Sequence, residues 1–312
     1  MSNEQDRKNT LSRAERSVGR TVVLVQTDEN LRRLAGRLRR TRIASFALDL
    51  EAENNLHRYG IHLCLIQLTA FGKYYLVDPL AVEDLGPLLG VFRSAAVEKV
   101  MYSAEEDVKL LKHTHGTEIR NIFDVQLAAR MLDMDQIAMD ALVQNVLGES
   151  FSKRSKLQKS DWCRRPLSEA QLIYASNDIR YLAALKAELQ PRLAKRGLQE
   201  EYAEAIGRLE AKEFRTKSRP HMRIKGAFSL SREQQVRLKH LFEARDAIAR
   251  ELDYPAFRVI KNATLIRLSR KPPRTAGQWI DRDVLAAPCR SYVHLLVEAV
   301  SRAERENADA AR

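Results

Sequence analysis

The sequence predicts an α/β domain built on a mixed sheet, followed by a small all-α domain. Residues 43–77 hold three β-rich runs in close succession, whereas residues 99–132 alternate short strands with helical stretches. That change of pattern is what a mixed sheet with helices packed on it produces. After the basic, proline-containing stretch Arg215–Lys225, apolar residues recur at helical spacing, as in Val236, Leu238, Leu241, Phe242 and Ile248. At 312 residues the chain is also long for a single domain.

In order, residues 1–20 are polar and charged and read as a mobile N-terminal arm. Thr21–Gln26 (TVVLVQ) is a β-branched strand, and Thr27 followed by Asp28-Glu29 is a helix N-cap with an acidic first turn. That helix runs to about Arg40, with Leu31, Leu34 and Leu38 on one face and arginines largely on the other. Ile43–Leu50, Leu63–Thr69 and Tyr74–Val77 are strands, the last two joined by a turn at Phe71-Gly72-Lys73, as in an antiparallel meander. Leu80–Phe92 reads as a helix interrupted at Gly86-Pro87. Strand Lys99–Tyr102 leads to helix Ala104–His113, and strand Ile119–Phe123 to helix Asp124–Leu132.

Helix Ile137–Leu147 stops at Gly148, and the basic run Ser152–Ser160 (SKRSKLQKS) follows. Ser168–Leu189 reads as one long helix with Ser168 as N-cap, and another helix continues to about Glu213. Beyond the linker, Ser231–Leu252, Phe257–Ile260, Asn262–Arg270, Ala276–Ile280 and Tyr292–Glu304 are helical. The expected organisation is an arm at 1–20, an α/β domain at 21–205, a helical and basic linker at 206–228, a helical domain at 229–305 and a tail at 306–312.

A net charge of +12 argues for a polyanionic partner, nucleic acid first and an anionic membrane surface second. A hydrophobic content of 45% is that of a globular protein. There is no apolar run of membrane-spanning length and no signal-type apolar region near the start. Cys64, Cys163 and Cys289 are far apart and lack metal-type spacing, so they are expected to be reduced thiols in a cytoplasmic protein.

Three stretches can carry chemistry. Phe46-Ala47-Leu48-Asp49-Leu50-Glu51 is an apolar strand with two carboxylates two residues apart, hence on one face. Taken alone it equally describes a solvated strand end. Tyr174 and Asp178 are four apart in a helix and share a face, a pairing that also occurs by chance. Asp107 sits where a strand passes into a helix, a place the helix dipole favours for acids without any function. Together, Asp49, Glu51, Asp107 and Asp178 form an oxygen-only set that suits hard cations, Mg²⁺ or Mn²⁺ rather than zinc. A pair of such ions can stabilise the attacking and leaving oxygens of a phosphodiester.

At this point the chain resembles the DEDD superfamily of 3'–5' exonucleases, in its tyrosine-bearing subclass, and within it the ribonuclease D branch with its exosome-associated eukaryotic relatives. The resemblance covers about residues 21–205. It is carried by Ala47–Glu51, Leu65-Ile66-Gln67-Leu68, Val77-Asp78-Pro79-Leu80, Ser103–Asp107 with Leu110, Phe123–Gln126, Ser160–Leu167 (SDWCRRPL), Gln171, Tyr174-Ala175, Asp178 and Tyr181-Leu182. It implies a ribonuclease H-like fold, two metal ions held by Asp49, Glu51, Asp107 and Asp178, and Tyr174 as the catalytic tyrosine that orients the attacking water. Leu50 stands where ribonuclease D usually has threonine, and Tyr102 where the family usually has histidine, which bears on substrate placement beside Asp107. Asp124 is expected to be a helix N-cap.

The C-terminal segment resembles an HRDC domain through Leu238, Leu241, Arg245, Ile248, Ala249, Pro255, Phe257, Val259, Leu265, Leu268 and Ile280. The resemblance implies assistance in nucleic-acid binding. The expected activity is metal-dependent 3'–5' exoribonuclease, trimming single-stranded RNA 3' ends such as those of tRNA precursors, in a protein that acts as a monomer and away from membranes. The alternatives are a DNA exonuclease on the same site and a non-catalytic nucleic-acid-binding scaffold. Lys153, Arg154, Lys156 and Lys159, together with Arg164 and Arg165, flank the expected site, and the first group would line a path for single-stranded RNA.

Overall fold

The computed structural model describes residues 22–41, 43–149, 155–214, 218–273, 276–280 and 284–312. The expected arm at 1–20, the first three residues (152–154) of the basic run 152–160 and the start of the 215–225 linker lie outside the described residues. Among the described residues the chain divides into two compact units, one ending at residue 52 and resuming from 62 to 214, the other formed by 53–61 and the residues after 214.

The first unit is built on β1 (Val22–Val25), β2 (Ser45–Asn54), β3 (Ile61–Ala70), β4 (Lys73–Val77), β5 (Glu98–Met101) and β6 (Ile122–Asp124). They form one sheet in the order β1-β4-β3-β2-β5-β6. β3 and β4 pair antiparallel through the Phe71-Gly72 turn, whereas β1–β4, β2–β5 and β5–β6 are parallel. The sheet is therefore mixed, with the meander on one side and the strand–helix alternation on the other. β2 lies between β3 and β5, so its residues Phe46, Ala47 and Leu48 are fully buried.

The helices are α1 (Asp28–Arg40), α2 (Gly86–Arg93), α3 (Glu105–His115), α4 (Val125–Met131), α5 (Met139–Leu147), α6 (Ser155–Gln158), α7 (Glu169–Arg180), α8 (Leu182–Lys195) and α9 (Gln199–Glu210). The α1 start is as expected: Thr27 is extended and its hydroxyl accepts the Asn30 N–H at 3.3 Å. Two helices differ from the sequence reading. The helix expected from Leu80 begins only at Gly86, because Pro87 has no N–H and fits the first turn, while the Asp84 carboxylate accepts the Gly86 N–H at 2.9 Å. The single helix expected over 168–189 is divided at Tyr181, and its second half passes through Pro191 to Lys195, ending where Gly197 takes a φ of +70°.

The cysteine expectation is corrected. Cys64 on β3 and Cys163 are joined by a disulfide, with their Cα atoms 5.2 Å apart across a sequence separation of 99 residues. The two meet only because the segment before α7 folds back onto the sheet, which no local spacing records. Cys289 is free and buried.

The second unit contains α10 (Arg232–Glu251), α11 (Ala256–Val259), α12 (Asn262–Arg270), α13 (Ala276–Trp279) and α14 (Val293–Ala310). A Ser231–Gln234 capping box starts α10. Its core joins Leu238, Leu241 and Ile248 with Leu265, Leu268, Trp279, Leu285, Leu296 and Ala299. Residues 53–61 belong here: the Tyr59 hydroxyl donates to Asp246 at 2.8 Å and accepts from Arg250 at 3.1 Å. Among the described residues no helix is long and apolar enough to cross a membrane.

Candidate active site

Strand alternation puts Asp49 and Glu51 on one face of β2. Asp107 lies in the first turn of α3, and Tyr174 and Asp178 are one turn apart on α7. All five line one cavity of about 280 Å³, together with Tyr102, Ser103, Met139 and Gln158. Carboxylate oxygens of Asp49, Glu51 and Asp178 lie within 4.8 Å of one another. The structure thus brings together every site residue expected from the sequence. Met139 and Gln158 are additions that no motif announces. Lys159 is exposed nearby in sequence, whereas Lys153 and Arg154 lie outside the described residues.

Two local devices aim these side chains. Asp124 is the N-cap of α4, accepting the Leu127 N–H at 3.0 Å. The same carboxylate accepts the N–H groups of Ser103 at 3.2 Å and Ala104 at 2.8 Å. It thereby fixes the β5–α3 turn, in which Ser103 holds a left-handed φ of +56°. Asp124 is a cap, as expected, and its lone pairs are committed to the backbone. The second device is the Ser168–Gln171 capping box of α7, whose Gln171 amide also donates to the Ser160 hydroxyl and the Asp161 carbonyl, each at 3.2 Å.

The electrostatics follow from burial and crowding. Burial pushes the Asp49 carboxyl well above the usual carboxylate range, and the charges of Asp107, Asp178 and Glu51 push it further, with only the Leu50 N–H opposing. Asp107 is pushed up to about 8 by burial and by the charges of Asp124 and Glu106. The Tyr174 phenol is raised by burial, by Asp178, Glu51 and Asp49, and by its hydrogen bond to Asp178, so it stays protonated. Tyr174 also packs at a tilt against Trp162, ring centroids 5.8 Å apart. Tyr102 lines the cavity with its hydroxyl turned to other partners: it donates to the Ile137 carbonyl and accepts from the Gln126 amide, both at 2.9 Å.

Mutually repelling carboxylates crowded into a half-buried cavity are costly unless cations lie among them. An oxygen-only donor set with three acids at this spacing and a fourth in the same cavity fits hard divalent ions.

The comparisons with known proteins agree with this architecture. A profile described as 3'-5' exonuclease matches residues 22–194, and an HRDC domain profile matches residues 234–300. The chain is 35% identical over 243 residues to Ribonuclease D of Xanthomonas oryzae pv. oryzae, an alignment covering 77% of this chain and 66% of that relative's length. The catalytic core of RRP6 from Trypanosoma brucei superposes with a TM-score of 0.79 at 24% identity, covering 91% of this chain and 80% of that one. Escherichia coli RNase D superposes with a TM-score of 0.73 at 24% identity, covering 91% and 75%. With the exonuclease profile spanning more than half of the chain and the acid-lined cavity inside the matched region, the chain belongs to the 3'-5' exonuclease family and carries a C-terminal HRDC domain.

Proposed function

We propose that the chain is a metal-dependent 3'–5' exoribonuclease that trims single-stranded RNA 3' ends, tRNA precursors among them. The observation that carries this reading is the convergence of the Asp49, Glu51 and Asp178 carboxylates in a cavity that also holds Asp107 and the Tyr174 hydroxyl. The similarity to a relative named Ribonuclease D supports RNA as substrate. The net charge of +12 supports a phosphate-rich partner.

In this reading Asp49, Glu51, Asp107 and Asp178 hold two divalent cations, Mg²⁺ or Mn²⁺. When bound, such ions supply an activated water and charge stabilisation of the leaving 3' oxygen. The protein's own groups do the positioning. Asp49 is half-buried and braced by the Leu50 N–H, so it presents its oxygens from a fixed strand. Tyr174 keeps its proton and, hydrogen-bonded to Asp178, orients the attacking water rather than deprotonating it.

The test is degradation of matched 5'-labelled single-stranded RNA and DNA with Mg²⁺ or Mn²⁺, with EDTA and Asp49→Asn alongside. A metal-dependent ladder shortening from the RNA 3' end, absent in Asp49→Asn, is the expected result. Equal digestion of DNA would move the substrate to deoxyribonucleotides. Salt-sensitive RNA binding without digestion would make the chain a scaffold.

A further inference from the structure

Arg165 precedes a proline in the segment that leads into α7 and reads, in sequence, as half of a basic pair with Arg164 that flanks the expected site. The structure turns it inward. Its Nε donates to Asp78 Oδ2 at 2.6 Å and its Nη2 to Asp78 Oδ1 at 2.7 Å, a bidentate pair. Nη2 also donates to the Cys64 carbonyl at 2.6 Å, and Nη1 to the carbonyls of Trp162 at 2.6 Å and Arg164 at 3.1 Å. A guanidinium has five N–H groups, and here five acceptors meet them. None is left over for an RNA phosphate.

These bonds join three parts of the domain. Asp78 follows β4, Cys64 is on β3, and Trp162 belongs to the segment wrapped on the first turn of α7 through Gln171. The Asp78 side chain is only 6% exposed. Burial alone would raise its carboxyl, yet the hydrogen bonds and charge of Arg165, with the Leu80 N–H, hold it below the usual range. The pair is therefore ionised and fixed. Trp162 is 1% exposed and its indole packs against the Tyr174 ring. A continuous line of contact runs Asp78–Arg165–Trp162–Tyr174.

We propose that Arg165, locked to Asp78, is a positioning residue for Tyr174, acting through the Trp162 carbonyl and indole. The proposal rests on the catalytic reading of Tyr174. A hydroxyl that orients a water has little tolerance for displacement, and a shift of about 1 Å in a positioned group can cost about a hundredfold in rate. Lysine cannot replace arginine here. It keeps the charge beside Asp78 but offers three donors from a point instead of a planar fork, so it cannot hold Asp78 and all three carbonyls together.

The test is a double-mutant cycle in the full chain, on 5'-labelled single-stranded RNA with Mg²⁺, using Arg165→Lys, Tyr174→Phe and the double variant. Arg165→Lys is expected to lower kcat by about ten- to a hundredfold with KM within about threefold of the parent. In the Tyr174→Phe background the same substitution is expected to cost less than about threefold, because its effect passes through the hydroxyl already removed. Equal losses in both backgrounds, an unchanged kcat, or a raised KM with kcat retained would each overturn the proposal, the last by making Arg165 an RNA contact. If Arg165→Lys does not fold, Trp162→Phe enters the same cycle under the same criteria, with the Arg165–Asp78 pair intact. Wild-type turnover by Tyr174→Phe alone would remove the catalytic reading of Tyr174 and the proposal with it. That outcome is distinct from an inert Arg165→Lys in the parent.

Discussion

The carboxylate of Asp124 accepts the backbone N–H of Ala104 at 2.8 Å, across twenty residues of sequence. It joins the start of α4 to the turn that begins α3, three residues before Asp107. On its other side the Tyr202 hydroxyl bridges the Asp124 backbone, accepting its N–H at 2.7 Å and donating to its carbonyl at 3.1 Å. Replacing Asp124 by Ala strips partners from the Ser103, Ala104 and Leu127 N–H groups at once. The expected loss is about 2–4 kcal/mol, since a lost cap costs about 1 and the orphaned buried Ala104 donor about 1–3, while the Ser103 N–H can turn to water. Denaturant unfolding measures it. A loss below about 0.5 kcal/mol would mean that water replaces the carboxylate, contrary to its burial.

The acid cluster trades stability for charge density. Asp49 is half-buried and repelled by Asp107, Asp178 and Glu51. Asp49→Asn removes one member of that set, so the metal-free protein is expected to melt higher, by roughly 3–6 °C. The same variant should lose on the order of a thousandfold in exonuclease rate. Mg²⁺ is expected to raise the melting temperature of the parent and to leave that of Asp49→Asn nearly unchanged. Thermal melts with EDTA and with Mg²⁺ read both effects. A metal-free melting temperature that falls in Asp49→Asn would show that packing, not repulsion, governs the site.

What was legible in the sequence was whatever has a local period. Asp49 and Glu51 could be paired by strand alternation, Tyr174 and Asp178 by the helical turn, and Asp124 recognised as a cap from its place before a helix. The mixed sheet followed from strands bunched in one half and alternating with helices in the other. What stayed hidden was pairing at long range. Arg165 meets Asp78 across 87 residues and Cys64 meets Cys163 across 99, and neither leaves a local signature. Tyr59 reaching Asp246 across 187 residues likewise assigns the β2–β3 connection to the helical unit, although its sequence reads as part of the first domain. The break at Tyr181 has no Gly or Pro to announce it.

Tyr102 gives a prediction about substrate placement. It lines the cavity, while its hydroxyl is held by Ile137 and Gln126. The ring is then a wall and the hydroxyl an anchor for it. Tyr102→Ala removes the wall and should raise KM by about tenfold, the value of roughly 1.4 kcal/mol of apolar contact, with kcat nearly kept. Tyr102→Phe keeps the wall and should change KM by less than about threefold. Steady-state kinetics on short RNA separates the two. A fall in kcat without a change in KM in Tyr102→Ala would instead tie the ring to the reacting groups beside Asp107.

Lys99 supplies a pH dependence that is independent of the acid cluster. It is fully buried on β5, with its ammonium donating to the carbonyls of Ser94 at 2.6 Å and Val97 at 2.7 Å. Burial pushes it down to about 8, against the opposing pull of Glu210 and Glu98. In the unfolded chain the same lysine titrates near about 10.4. Below pH 8 both states carry the proton, and the cost of the buried charge is fully present. Between pH 8 and about 10.4 the unfolded state binds more protons, so this group makes stability rise with pH through that window. Lys99→Met has no such group. Its stability relative to the parent should therefore be highest below pH 8 and should decline as pH rises to about 10. Denaturant unfolding of both proteins from pH 7 to 10 measures the difference. A difference that stays flat across that range would show that the ammonium is as well solvated by its two carbonyls as it is in water.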